Sequence, residues 1–419
     1  MIVSSSPPEV VVPPLRRDAR VISLVLAGSI SQAGDVAWFV GLAWTAAHVA
    51  GPAGAGLVMG VGSVPRALIL LLGGAYADRL DARRTMVVSN IARILVLVAA
   101  TVAVEANGPS LLLLLGVAVV FGLVDGMYRP AAGTLPRQLV KADDLAAVTS
   151  MFQLGGRAAT LAGAPLGGVL VAFGGLSLVM VADAISFVVI AVVLATVLKP
   201  RFPLVRSAGR SVRADVVDGF RYLRRAPSAR TLTIAVSGLN LFVGPITTVG
   251  VALRTRGEGW GAANLGLFEA CIGAGAAVGA VIAMRWRPRA PARTGLLILV
   301  GQAAACVGVG FLPYLGVVAS MLTIGLTAGL ASSFLSGAFM RTIEESYLGR
   351  ASSIVMLSDD ALMPLAMTGF GAVAGVSSLS TACTVTGAGF AALVLWSASR
   401  RGIDAVQPAS AATATVATG

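Results

Sequence analysis

The sequence predicts an all-α membrane protein of twelve transmembrane helices, arranged as two six-helix pseudo-repeat bundles. Three observations carry this expectation. Hydrophobic residues make up 57% of the 419 positions and charged residues only 12%, against roughly 45–50% and 25% in soluble globular chains. A water-soluble fold of this length has too little interior to hide that much apolar surface. Apolar runs of about 20 residues, enough to cross about 30 Å of hydrocarbon, recur along the chain. Arginines gather at alternate ends of those runs, as membrane orientation requires. The 50 glycines fit as well, because small residues let membrane helices approach closely.

Residues 1–20 carry Pro7, Pro8, Pro13, Pro14, Arg16, Arg17 and Arg20 without the apolar centre of a cleavable signal. They read as a disordered cytoplasmic leader. An N-terminal bundle over 21–198 then holds spans at Val21–His48, Ala55–Ala77, Met86–Glu105, Ser110–Arg129, Val148–Phe173 and Ser177–Leu198. A polar, arginine-rich loop follows over 199–230. The C-terminal bundle, 231–402, holds spans at Leu232–Arg254, Ala262–Met284, Leu296–Pro313, Gly316–Phe339, Ser352–Ala374 and Ser378–Ser397. Residues 403–419 read as a disordered tail. Shifting the chain by 206 positions lays the stretch from Ala280 to Arg285 on that from Gly74 to Arg79, each after the second span of its half. Duplicated halves with a site between them are a common transporter architecture.

The net charge of +12 invites a nucleic-acid reading, but the basic residues are spread among short loops rather than gathered in one patch. They follow spans 2, 4, 6, 8 and 12 and flank the turn after span 10, whereas the opposite side has only Arg254 and Arg256. The positive-inside rule then places both termini and the central loop in the cytoplasm of a multi-pass inner-membrane protein. Within that loop, Val212–Leu223 suits either an amphipathic helix lying on anionic lipid headgroups or a solvated connector.

Cys271, Cys306 and Cys383 lie inside apolar runs, and His48 is the single histidine. No metal-ligand spacing, catalytic triad or phosphate loop stands out, so neither a metal, a cofactor nor an enzymatic activity is expected.

The loop after span 2 runs from Gly73 and Gly74 through Asp78, Arg79 and Asp81 to Arg83 and Arg84. It resembles the cytoplasmic signature of the major facilitator superfamily, with Gly74, Asp78, Arg79, Arg83 and Arg84 in place and Asp81 where a glycine is usual. The resemblance implies that fold, a monomer, and a switch role for Asp78 facing the start of span 11. The end of span 4, from Tyr128 through Pro130 to Pro136, and the stretch from Val217 to Pro227 resemble the drug-exporter branch of macrolide and enterobactin exporters. In span 5, Gly163, Pro165, Gly167 and Gly168 resemble the antiporter motif, with proline one place late and Ala159 replacing the upstream glycine. Close helix packing explains those residues equally well.

Charges inside a bilayer are costly and mark pairing or function. Here they are Asp35, Arg66, Arg93, Asp125, Arg129, Arg157, Asp183, Glu269, Asp359 and Asp360. Asp35, Glu269, Asp359 and Asp360 are the proton-coupling candidates; Arg66, Asp125, Arg129 and Arg157 are the buried partners. Asp35 and Arg66 fall at similar depth and are expected to meet, either as a titrating pair or as a permanent packing bridge. Asp125 and Arg129, one turn apart, suit a local salt bridge or a conformational role. Asp359 and Asp360 point about 100° apart and do not share one cavity. Asp183 reads as a structural pairing residue. Trp38, Phe39 and Trp44 are candidate wall residues for an apolar ligand, with interfacial anchoring the commoner explanation for Trp44. The leading functional reading is proton-driven export of a small amphipathic molecule. A nutrient importer or exchanger of the same fold comes next, and a non-transporting sensor or scaffold third.

Overall fold

The computed structural model describes residues 13–69, 81–202, 212–400 and 403. Its helices are α1 (Ala19–Ile69), α2 (Ala82–Asn107), α3 (Leu111–Leu139), α4 (Leu145–Thr196), α5 (Val212–Arg225), α6 (Pro227–Gly257), α7 (Ala262–Arg285), α8 (Pro291–Phe311), α9 (Tyr314–Thr342), α10 (Glu345–Val376) and α11 (Leu379–Ser399). Among the described residues nine of these are long and apolar enough to cross a membrane. Helix α10, at 32 residues, is long enough but carries Asp359 and Asp360.

Two helices are too long for one crossing. Helix α1 has 51 residues and α4 has 52, about 77 Å each at 1.5 Å per residue. Each breaks at a glycine: Gly51 at φ 64° before Pro52, and Gly175 at φ 62° after Gly174. Only glycine adopts that backbone freely. The chain folds back there, because Gly41 lies against Val171 and Val179 at once, eight positions apart around Gly175. Across the other break, Leu42 and Val58 line one cavity. With both folded helices divided and α10 included, the described residues accommodate the expected twelve segments.

Helices α1 to α4 pack together, as do α6 to α11. One end of the molecule is basic. There Arg201 donates to the Asp18 carboxylate, with Nη2···Oδ1 at 2.9 Å, and to the Leu139 carbonyl at 3.1 Å. Arg20 reaches the Lys199 carbonyl at 2.8 Å, and Arg83 the Leu194 carbonyl at 2.6 Å. Burial pushes the Asp18 carboxyl up, but the Arg201 hydrogen bonds and charge, with backbone donors, hold it below its ordinary value. The opposite end carries the glycine breaks, and there Arg256 donates to the Ala47 carbonyl.

Contacts between the bundles run from the break end towards mid-depth. Gly56 meets Met367, Gly60 meets Pro364, and Gly371 meets Pro52. On the other flank Gly266 packs on Ala164, Pro165 and Gly168. Helix α5 follows the expected amphipathic stretch; one side of it packs on α10 and the turn before α10, while Val217 and Phe220 stay exposed. Leu223 joins Ile343, Ala351 and Ile354, and Tyr222 stacks on Tyr347 at 4.3 Å.

Candidate functional site

A cavity of about 500 Å³ lies among helices α1 to α4. Its apolar wall comes from Trp38, Phe39, Phe121 and Phe152, with Met59 and Met86. Trp38 is 2% exposed and tilts on Phe121 at 5.7 Å, so it is held rigidly; Phe39 is exposed. Ser29, Ser31, Gln32 and Ser63 supply neutral polar groups.

The charged lining is Asp35, Arg66, Arg93, Asp125 and Arg129. Arg93, 3% exposed, pairs with Asp125 and places its guanidinium 4.4 Å from the Tyr128 ring and 5.0 Å from that of Phe187. Those contacts answer the cost of burying a cation. Arg66 donates from Nε to Asp360 Oδ1 at 2.8 Å and from Nη2 to Ser63 Oγ at 3.1 Å, and lies 3.9 Å from Asp125. The Arg66–Asp360 bond links α1 to α10, one bundle to the other. Asp35 is half-buried in the middle of α1, has no hydrogen bond or ion pair among the described residues, and lies within electrostatic reach of Arg93, Asp125 and Arg129.

Several expectations therefore change. Asp35 and Arg66 share the cavity but do not pair; Asp360 holds Arg66 instead. Asp125 pairs with Arg93 across to α2 rather than with Arg129 one turn away, because Arg129 is exposed towards the cavity. Arg157 is exposed, not a buried partner. Asp183 is fully buried, but its partner is the Ser186 hydroxyl at 3.0 Å rather than a charge. Asp359 and Asp360 do diverge: Asp359 accepts from Asn240 on α6 at 2.8 Å. Glu269 on α7 is half-buried, lies outside the cavity wall, and has no hydrogen bond or ion pair among the described residues.

Gly74, Asp78 and Arg79 lie outside the described residues. Of the same signature, Arg83 fastens the start of α2 to the end of α4. Asp81 accepts from the Arg84 backbone N–H at 2.9 Å and caps α2, which accounts for a carboxylate where glycine is usual. In the antiporter-like stretch Gly163 packs on Ala33, Gly167 on Ala37, and Gly168 on Ala262 and Gly266. Those glycines bring α4 against α1 on one side and α7 on the other.

Sequence reasoning placed Arg93 only loosely and left Tyr128 out of the site. The available signals were the isolated charge of Arg93 inside span 3 and the i to i+3 relation of Tyr128 to Asp125.

No curated protein matches this sequence. Solved structures of the same fold include a bacterial homologue of the human lysosomal transporter Spinster, inward-facing and unoccupied, at 15% identity over 94% of this chain and 96% of that one, with a TM-score of 0.69. A bacterial homologue of the iron transporter ferroportin in the inward-facing state matches at 17% identity over 93% and 100%, with a TM-score of 0.69. The nucleoside transporter NupG matches at 13% identity over 90% and 98%, with a TM-score of 0.69. The sequence profile of the Major Facilitator Superfamily matches residues 24–367. That match covers most of the chain, and with the helical architecture it assigns this multi-pass membrane protein to the major facilitator superfamily.

Proposed function

We propose that the protein is a secondary transporter that exports a small amphipathic organic molecule in exchange for protons by alternating access. One observation carries the reading: a cavity of about 500 Å³, walled by aromatic rings, contains a carboxylate at Asp35 with no hydrogen bond or ion pair among the described residues. That volume suits a drug-sized ligand. A carboxylate without a fixed partner is free to hold either a proton or a cationic ligand group, and competition between the two is what exchange requires.

In this reading the basic end faces the cytoplasm. The bundles meet at the break end, so the cavity takes ligand from the cytoplasmic side. Outward opening then separates α1 from α10 and breaks the Arg66–Asp360 bond, while Asp125, 3.9 Å from Arg66, remains to receive the guanidinium. The resemblances at Tyr128–Pro136 and in the span 5 glycines support the exporter branch. Import of a polar nutrient uses the same cycle in reverse, and the serines and Gln32 of the cavity suit it.

The test is Asp35→Asn reconstituted in proteoliposomes with an imposed pH gradient. The folded variant is expected to bind ligand yet lose proton-driven accumulation. Retained coupling would remove Asp35 from the mechanism. The direction of accumulation in the wild-type vesicles separates export from import.

A further inference from the structure

We propose that the cavity selects zwitterions: molecules that carry a cationic amine and an anionic group together on an apolar body. The inference deepens the transporter reading and rests on this cavity being the ligand site.

Six charged side chains meet at the cavity. Five line it, and Asp360 joins them through Arg66. Four satisfy one another, as Arg93 with Asp125 and Arg66 with Asp360. The two left are of opposite sign. Asp35 and Arg129 both line the cavity, and neither has a hydrogen bond or ion pair among the described residues.

Their depths follow from one shared landmark. Arg201 bonds both Asp18 and the Leu139 carbonyl, so those positions lie level at the basic end. Counting from them at 1.5 Å per residue puts Asp35 about 25 Å deep and Arg129 about 15 Å deep. Helical side chains lean towards their own N-terminus. Asp35 therefore leans towards the basic end and Arg129, on the antiparallel α3, leans deeper. The two charges approach each other across the cavity, within electrostatic reach.

The cavity is large enough to admit water to both charges. A ligand that displaces this water must replace what each charge loses, because an ion left dry without a partner is costly. A simple cation answers Asp35 and strands Arg129; a simple anion does the reverse. A zwitterion answers both, with its amine deep on Asp35 and its acid nearer the mouth. There the planar guanidinium can accept the acid in a two-pronged hydrogen bond. Trp38 and Phe121 provide the surface for the apolar part.

The experiment is calorimetric titration of the purified full chain in lipid nanodiscs. The probes share one phenylalkyl scaffold bearing an amine, a carboxylate, both, or a hydroxyl. The zwitterion is expected to bind about tenfold more tightly than either singly charged probe. Asp35→Asn should erase the advantage conferred by the amine and keep that of the carboxylate; Arg129→Gln should do the opposite. The proposal is overturned if the zwitterion binds no better than the single charges, including no binding by any probe. It is likewise overturned if both substitutions weaken all four probes alike. Outward transport of the bound zwitterion is measured separately in vesicles. Binding with the predicted charge pattern but no outward movement leaves the selectivity standing and removes export.

Discussion

Arg93 shows how much one residue can hold. Its side chain is 4% exposed, its carboxylate partner is Asp125, and two rings cover it. Removing one member of a buried pair strands the other, at about 3–5 kcal/mol. Asp125→Asn should therefore lower the unfolding temperature in detergent by several degrees, whereas Arg129→Gln, at an exposed position, should barely move it. Equal melting of Asp125→Asn and wild type would show that the rings alone sustain Arg93. At the basic end Asp18 makes a second, pH-dependent bond. Its folded carboxyl titrates below the ordinary 3.8, so its contribution is present above that value and lost as pH falls through the lower folded pKa. The stability gap between wild type and Arg201→Ala should stay constant above about pH 5 and close below about pH 4; a gap independent of pH would deny the linkage. The identity of the charged residues was legible in the sequence, since each interrupts an apolar run. Their pairing was not. Whether Arg66 meets Asp35 or Asp360 depends on how helices rotate and slide against one another, and one-dimensional spacing is silent on that.

At the scale of helices, close approach decides which ends of the bundles can touch. A Cβ added at Gly56 would fall on the Met367 carbonyl oxygen, with Gly371 behind it. Gly56→Val should wedge α1 from α10 at the break end and favour the opposite opening. Spin labels at Asn107 and Ser377, both near that end, should report a longer separation in this variant. Gly116→Val, at a position with nothing within 4 Å, should leave the distances as in wild type. A matching distribution in both variants would remove the wedge argument. The two fold-backs were readable to within a few residues: the gap between His48 and Ala55 contains the Gly51 break, and that between Phe173 and Ser177 contains Gly174 and Gly175. The docking of α5 on α10 was not readable. An apolar stripe has the same periodicity whether it meets lipid or the aromatic ring of Tyr347.

Over the whole molecule, the proposed orientation rests on the asymmetry of basic residues, because a helix bundle alone has no direction. Cysteines introduced at Ser207 and Ala53 of a cysteine-free variant should react from opposite faces of intact cells. Labelling of both by one membrane-impermeant reagent would overturn the orientation. The six charges gathered at the cavity also have an electrical consequence. Fully ionised, they sum to zero, and a bound zwitterion adds nothing. The membrane potential then does no net work on these six charges as the empty carrier reorients, nor when they hold such a molecule. A proton on Asp35 breaks the balance by one unit, worth about 2.3 kcal/mol for each 100 mV. In a proton exchange built on this cavity, voltage therefore acts through these six charges only when Asp35 is protonated, pulling that form inward and leaving the cavity's share of the cargo's outward journey electrically silent.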